Sequence, residues 1–175
     1  MPLTPWVQER VRQQELVARF IWGAFLFAIF SFGYFVTLAG QKADTPVSLQ
    51  DLVHDPLSQP LVLLTVIVAV AALVLPQIFL TPEWLQRLSK SSDAALNLRT
   101  GLSKEDVAKL PVKEQDLIRT LPFWVILNIV SFALSELVAV LGLVVALMKQ
   151  TPDLYLPFGL VAFVLVLIRF PRVNF

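Results

Sequence analysis

Polar and apolar residues in this chain are segregated in blocks rather than interleaved. Four uncharged apolar runs stand between charged stretches. The first lies between Arg19 and Lys42, the second between Asp55 and Glu83, and the fourth between Asp153 and Arg169. The third extends from Thr120 to Met148 and is broken only by Glu136. A helix crossing ~30 Å of hydrocarbon needs ~20 residues, with ~17 as the lower bound. The first three runs exceed this, and the fourth reaches it if Arg169 extends its side chain toward the headgroups. In lipid the backbone must satisfy its own hydrogen bonds, which favours helices for runs of this length. The expectation is an all-α polytopic membrane protein with four transmembrane helices as two hairpins. The expected spans are 20–41, 60–80, 121–148 and 154–170. An arm (1–19), loops at 42–59, 81–120 and 149–153, and a tail (171–175) lie outside them. The first run is longer than the ~7–15-residue core of a signal peptide, so it is expected to stay in the membrane.

Composition agrees with the pattern. Of 175 residues, 57% are hydrophobic and 15% charged, against roughly 45–50% and 25% in soluble domains. The net charge of +1 leaves no basic surface for nucleic acid. There is no cysteine and one histidine, His54. Disulfides, thiolate metal sites and bis-histidine haem are thereby excluded, and neither a cofactor nor a metal is expected. The positive charges set an orientation. Arg10, Arg12 and Arg19 lie in the arm, and Arg87, Lys90, Arg99, Lys104, Lys109, Lys113 and Arg119 in the central loop. Arg169 and Arg172 end the chain, leaving only Lys42 and Lys149 for the other side. Cytoplasmic loops carry the excess of Lys and Arg, so both termini and the central loop are expected in the cytoplasm of a bacterium, with the spans in its inner membrane. Trp22, Trp84 and Trp124 fall at the cytoplasmic span ends, where indole rings favour the interface.

The polar segments carry little chemistry. Thr81-Pro82-Glu83 has the form of a helix start, as does Ser103 with Asp106 three residues on. Short amphipathic helices are therefore expected in the central loop, the second ending at Pro111. About forty residues are too few for a catalytic domain. The loop reads as a connector packed on the helices, with a docking surface for a soluble partner as the alternative. Asp44, Asp51, His54 and Asp55 share the 42–59 loop, but one histidine with scattered aspartates lacks a zinc site's ligand set. The arm reads as an amphipathic interfacial helix, with Trp6 as its anchor.

Glu136 is the one ionisable residue inside a span, and a carboxyl at mid-membrane depth costs a few kcal/mol. At 1.5 Å per residue it lies ~22 Å along the third span, near the midplane. Counting from each cytoplasmic end, Tyr34 and Thr65 reach nearly the same depth, and no basic residue does. The neutral form is therefore expected, hydrogen-bonded to Tyr34, Thr65 or a carbonyl. Its alternative roles are to bind and release a proton or cation, or to contact a partner subunit. Beside it, Asn128, Ser131, Ser135, Ala139, Gly142 and Ala146 form a stripe of small and polar positions on which another helix can pack closely. Gly23/Phe27 and Ala24/Ala28 form a comparable stripe in the first span.

The segment Ala133–Met148, ALSELVAVLGLVVALM, resembles the second helix of the proteolipid (c subunit) of rotary ATP synthases and V-type ATPases. In that family a membrane carboxylate is followed by a similar Gly-Leu-Val-Val-Ala-Leu run. The resemblance implies that Glu136 is an ion-carrying carboxylate. As a whole, the chain resembles uncharacterised four-span bacterial membrane proteins with such a third helix. No nucleophile–base pair or cofactor motif is present, so an enzyme is not expected. The leading reading is a non-catalytic subunit packed within a larger membrane complex or a homo-oligomer, its partners being lipid, other membrane subunits or copies of itself. The alternative is a proteolipid-like proton or cation carrier.

Overall fold

The structure is a computed structural model that describes residues 3–39, 48–81, 83–85, 87 and 109–172. It contains α1 (Pro5–Ala39), α2 (Leu49–His54), α3 (Gln59–Phe79), α4 (Val112–Met148) and α5 (Tyr155–Ile168). A 3-10 turn, Pro152–Leu154, leads into α5, and no strand occurs among the described residues. Three helices, α1, α3 and α4, are long and apolar enough to cross a membrane, which marks the chain as a membrane protein. The 14 residues of α5 span only about 21 Å. Residues 83–85 and 87 are helical. The rest of that expected helix, and the one expected at Ser103, lie outside the described residues.

α1 has 35 residues and α4 has 37, giving lengths of roughly 52 and 55 Å against a ~30 Å hydrocarbon core. The excess is charged: Glu9 to Arg19 in α1 and Lys113 to Arg119 in α4. α4 thus starts well before the apolar run, because Pro111 presents its carbonyl to the Glu114 and Gln115 amides and nucleates the helix there. Glu114 in that first turn also suits the positive end of the helix dipole.

The chain divides into two compact units. The first comprises Met1–Ile21, Leu75–Val130 and Pro171–Phe175. Among the described residues its core includes one cluster of Val7, Leu117 and Ile118 and another of Ala18, Leu85, Leu121, Trp124 and Val125. The start of α1 is tied to the start of α4. The Thr4 amide and hydroxyl donate to the two carboxylate oxygens of Glu114 at 2.8 and 2.6 Å. Glu114 is buried, and the two donors offset the desolvation of its carboxylate. The Phe79 and Trp84 rings meet edge to face, 4.5 Å apart.

The second unit comprises Trp22–Val74 and Ser131–Phe170. Aromatic pairs hold it together: Trp22 with Phe170, Phe25 with Phe132, and Phe30 with Phe163. Apolar contact alone would not drive association in lipid, where the tails are as apolar as the side chains, so hydrogen bonds to backbone carbonyls add direction. Trp22 Nε1 donates to the Val166 carbonyl at 2.8 Å, and the Tyr155 hydroxyl to that of Ile29 at 2.6 Å. Arg169 Nη2 donates to the Leu73 carbonyl at 2.6 Å. Pro76 lies inside α3 and supplies no N–H to the Ala72 carbonyl, which neighbours Leu73 in the same turn. Arg169, expected to reach toward the headgroups, supplies a donor to that turn.

Two local devices shape the polar end of this unit. Ser48 caps α2 through a reciprocal capping box with Asp51, which makes a six-residue helix where the sequence suggests only loop. α4 ends with Gln150 in the left-handed conformation, φ 51°, and the Thr151 amide reaches back to the Ala146 carbonyl, as in a Schellman motif.

Candidate functional site

The sequence points to Glu136, and its surroundings decide what that residue can do. Glu136 sits on α4 between a buried face and an open one. Phe132 and Ala139, one turn away on one side, are buried, whereas Ala133 is exposed and Val140 partly so. The Glu136 side chain is itself partly exposed. Among the described residues it makes no hydrogen bond and no ion pair. Of the two residues expected at its depth, one is bonded within its own helix and the other is exposed. The Thr65 hydroxyl is buried and donates to the Leu61 carbonyl of its own helix at 2.7 Å. Tyr34 is 68% exposed and lines a groove between α1 and α5. No hydrogen bond joins either to Glu136.

The small-residue stripe is consumed inside the chain. Asn128, Ser131, Ser135, Ala139, Gly142 and Ala146 are all buried. Asn128 Nδ2 donates to the Trp124 carbonyl, and Ser135 Oγ to that of Ser131. Ser131 Oγ is buried without a hydrogen-bond partner among the described residues. Gly142 is the tightest point, since a Cβ there would fall 2.2 Å from the Cβ of Phe158 in α5. The stripe on α1 behaves differently. A Cβ on Gly23 would meet nothing within 4 Å, Ala24 is exposed, and Phe27 is 73% exposed. The stripe on α1 is therefore left open, whereas the stripe on α4 is filled.

A polar cluster lies around Asp55. Lys149 Nζ and Asp55 Oδ2 are 2.6 Å apart, and the Ser58 amide and hydroxyl donate to the same carboxylate. The hydrogen bond from Lys149, helped by those from Ser58, lowers the Asp55 pKa from an ordinary 3.8 to about 2. Asp51 is likewise held below its ordinary value by its hydrogen bonds with Ser48. His54 does not pair with Asp55, because its Nδ1 lies 2.9 Å from the Gln50 carbonyl one turn back. Among the described residues no three His, Cys, Asp or Glu side chains converge in a way that would hold a metal. Asp44 and Lys42 lie outside the described residues.

What the sequence reading missed is Tyr155. Its ring is packed against Gly33 of α1 and against Gly159 one turn on in α5, and its hydroxyl is bonded to Ile29. The signal was faint: a tyrosine and a glycine four residues apart, with Gly33 far away in sequence. Comparison with known proteins finds no matching family model, no matching curated protein and no matching solved structure.

Proposed function

We propose that this chain is a non-catalytic integral membrane subunit that packs against other chains, or copies of itself, in a larger complex. In this reading all four apolar runs cross the bacterial inner membrane as two hairpins, with both termini on the cytoplasmic side. The observation that carries it is Glu136, a partly exposed carboxyl in a membrane helix with no hydrogen-bond or ion-pair partner among the described residues. Such a group is costly in lipid and normally faces a protein partner or a cavity. The open small-residue face of α1 at Gly23 and Ala24 supports the same conclusion, because small residues favour close helix approach.

The same carboxyl also favours a second reading, a proteolipid-like proton or cation carrier, since the segment around it resembles the carboxylate helix of that family. Two substitutions separate the readings. Gln keeps the shape and hydrogen-bonding end of Glu136, so a packing contact survives Glu136→Gln and fails with Glu136→Leu. A carrier loses ion flux in both, because Gln cannot release a proton. An assembled Glu136→Gln complex that conducts no ions, in reconstituted vesicles where the wild type does, would establish the carrier instead. For the orientation, a cysteine replacing Ser48 should react with an impermeant thiol reagent on intact cells, and one replacing Lys113 should react only after lysis.

A further inference from the structure

The groove between α1 and α5 has a polarity gradient along its length. It encloses about 590 Å³, within the ~300–1,000 Å³ typical of sites that hold small amphiphilic molecules. At one end stand Thr37, close to the C-terminus of α1, and Asp153, just before α5. One turn further in comes Tyr34, and beyond it the walls are Phe30, Leu160 and Phe163. From Thr37 to Phe30 is seven residues, about 10 Å, a good part of the ~15 Å of one hydrocarbon leaflet. The groove therefore passes from the level of the headgroups into the acyl region, on the premise that α1 and α5 lie in the bilayer.

Among the described residues the charges at its mouth are not balanced. Lys149, four residues before Asp153, is taken up by Asp55. Asp153 is exposed and has no ion-pair partner among the described residues. The Tyr34 hydroxyl is likewise without a hydrogen bond among them. From outside inward the groove offers an anion, a hydroxyl donor and an apolar channel. That order matches an ammonium, the phosphate and ester oxygens, and an acyl chain. We propose that this groove binds one phospholipid with a primary-amine headgroup, its ammonium at Asp153 and one acyl chain against Phe30, Leu160 and Phe163.

The proposal rests on the membrane reading above, and the two can fail separately. The full chain is purified in mild detergent and titrated with phosphatidylethanolamine or phosphatidylglycerol, with bound lipid counted by native mass spectrometry. Phosphatidylethanolamine should be retained about two- to fivefold better, the range expected for one partly exposed charge pair. Asp153→Asn should abolish that preference while leaving residual binding of both lipids. Leu160→Trp, which fills the channel, should reduce binding of both. Equal retention of the two lipids by the wild type, or a preference that survives Asp153→Asn, would overturn the site. Unchanged melting temperatures establish that the variants fold. Release of the wild-type chain from membranes by alkaline carbonate would instead overturn the membrane reading itself.

Discussion

Gly142 of α4 approaches Phe158 of α5 so closely that a methyl group on it would lie 2.2 Å from the Phe158 Cβ. Both atoms are fixed to backbone, so the clash cannot be relieved by a rotamer change, and the two helices must move apart. Overpacking of this kind costs about 1–3 kcal/mol. The better helix propensity of alanine returns at most about 1 kcal/mol. Gly142→Ala should therefore lower the melting temperature in detergent, and Gly142→Leu should lower it further. Val144→Leu, at an exposed position of the same helix, should leave it unchanged. Intrinsic tryptophan fluorescence during heating provides the measurement.

Tyr155 joins α5 to α1 by two separable contributions. Removing only the hydroxyl, with Tyr155→Phe, deletes the bond to Ile29, whose carbonyl keeps the helical amide of Gly33. An interhelical hydrogen bond in a membrane contributes about 0.6 kcal/mol, so the loss should be small. Tyr155→Ala also empties the space between Gly33 and Gly159, and a large aromatic truncated in a packed interior costs about 3–5 kcal/mol. Thermal unfolding of the two variants side by side should show that ordering. Equal effects would mean that the ring contributes little to packing.

The block pattern made the three long helices legible in advance, because hydrophobic runs of that length admit no other structure in lipid. The small residues from Ser131 to Ala146 were legible for a similar reason, since their three- and four-residue spacing puts them on one helix face. Other features depend on single local interactions. α2 exists because of the Ser48–Asp51 capping box, a short signal inside a segment rich in turn formers. The early start of α4 depends on the Pro111 carbonyl, and charged residues 113–119 suit helix as well as loop. Contacts such as Tyr155 with Ile29 join residues 126 positions apart, beyond the reach of any periodicity. Counting rise per residue gives depth for Glu136, Tyr34 and Thr65 but not rotation about each helix axis, and rotation decides which of them can touch.

Asp55 and Lys149 predict a pH dependence outside the membrane spans. The folded pKa of Asp55 lies at about 2, below its ordinary 3.8. A lowered carboxylate pKa means that the folded state favours the charged form. The stabilisation is therefore complete above the ordinary value and is lost as the pH falls through about 2. The difference in melting temperature between wild type and Asp55→Asn should be constant near neutral pH and should shrink below about pH 4. Lys149→Met should flatten that dependence, because the hydrogen bond from Lys149 is the largest cause of the shift. A difference that stays constant down to pH 2 would show that the pair does not form.

If Glu136 is satisfied by another chain, as proposed, the mass of the assembled protein will show it. The wild type and Glu136→Leu are extracted in the same mild detergent, and the mass of the protein part is measured by native mass spectrometry. A subunit should appear in a species heavier than its own 19.6 kDa, either as a multiple of that mass or with other chains attached, and Glu136→Leu should shift it toward the single chain. A wild type that runs as one 19.6 kDa chain, indistinguishable from Glu136→Leu, would contradict the account.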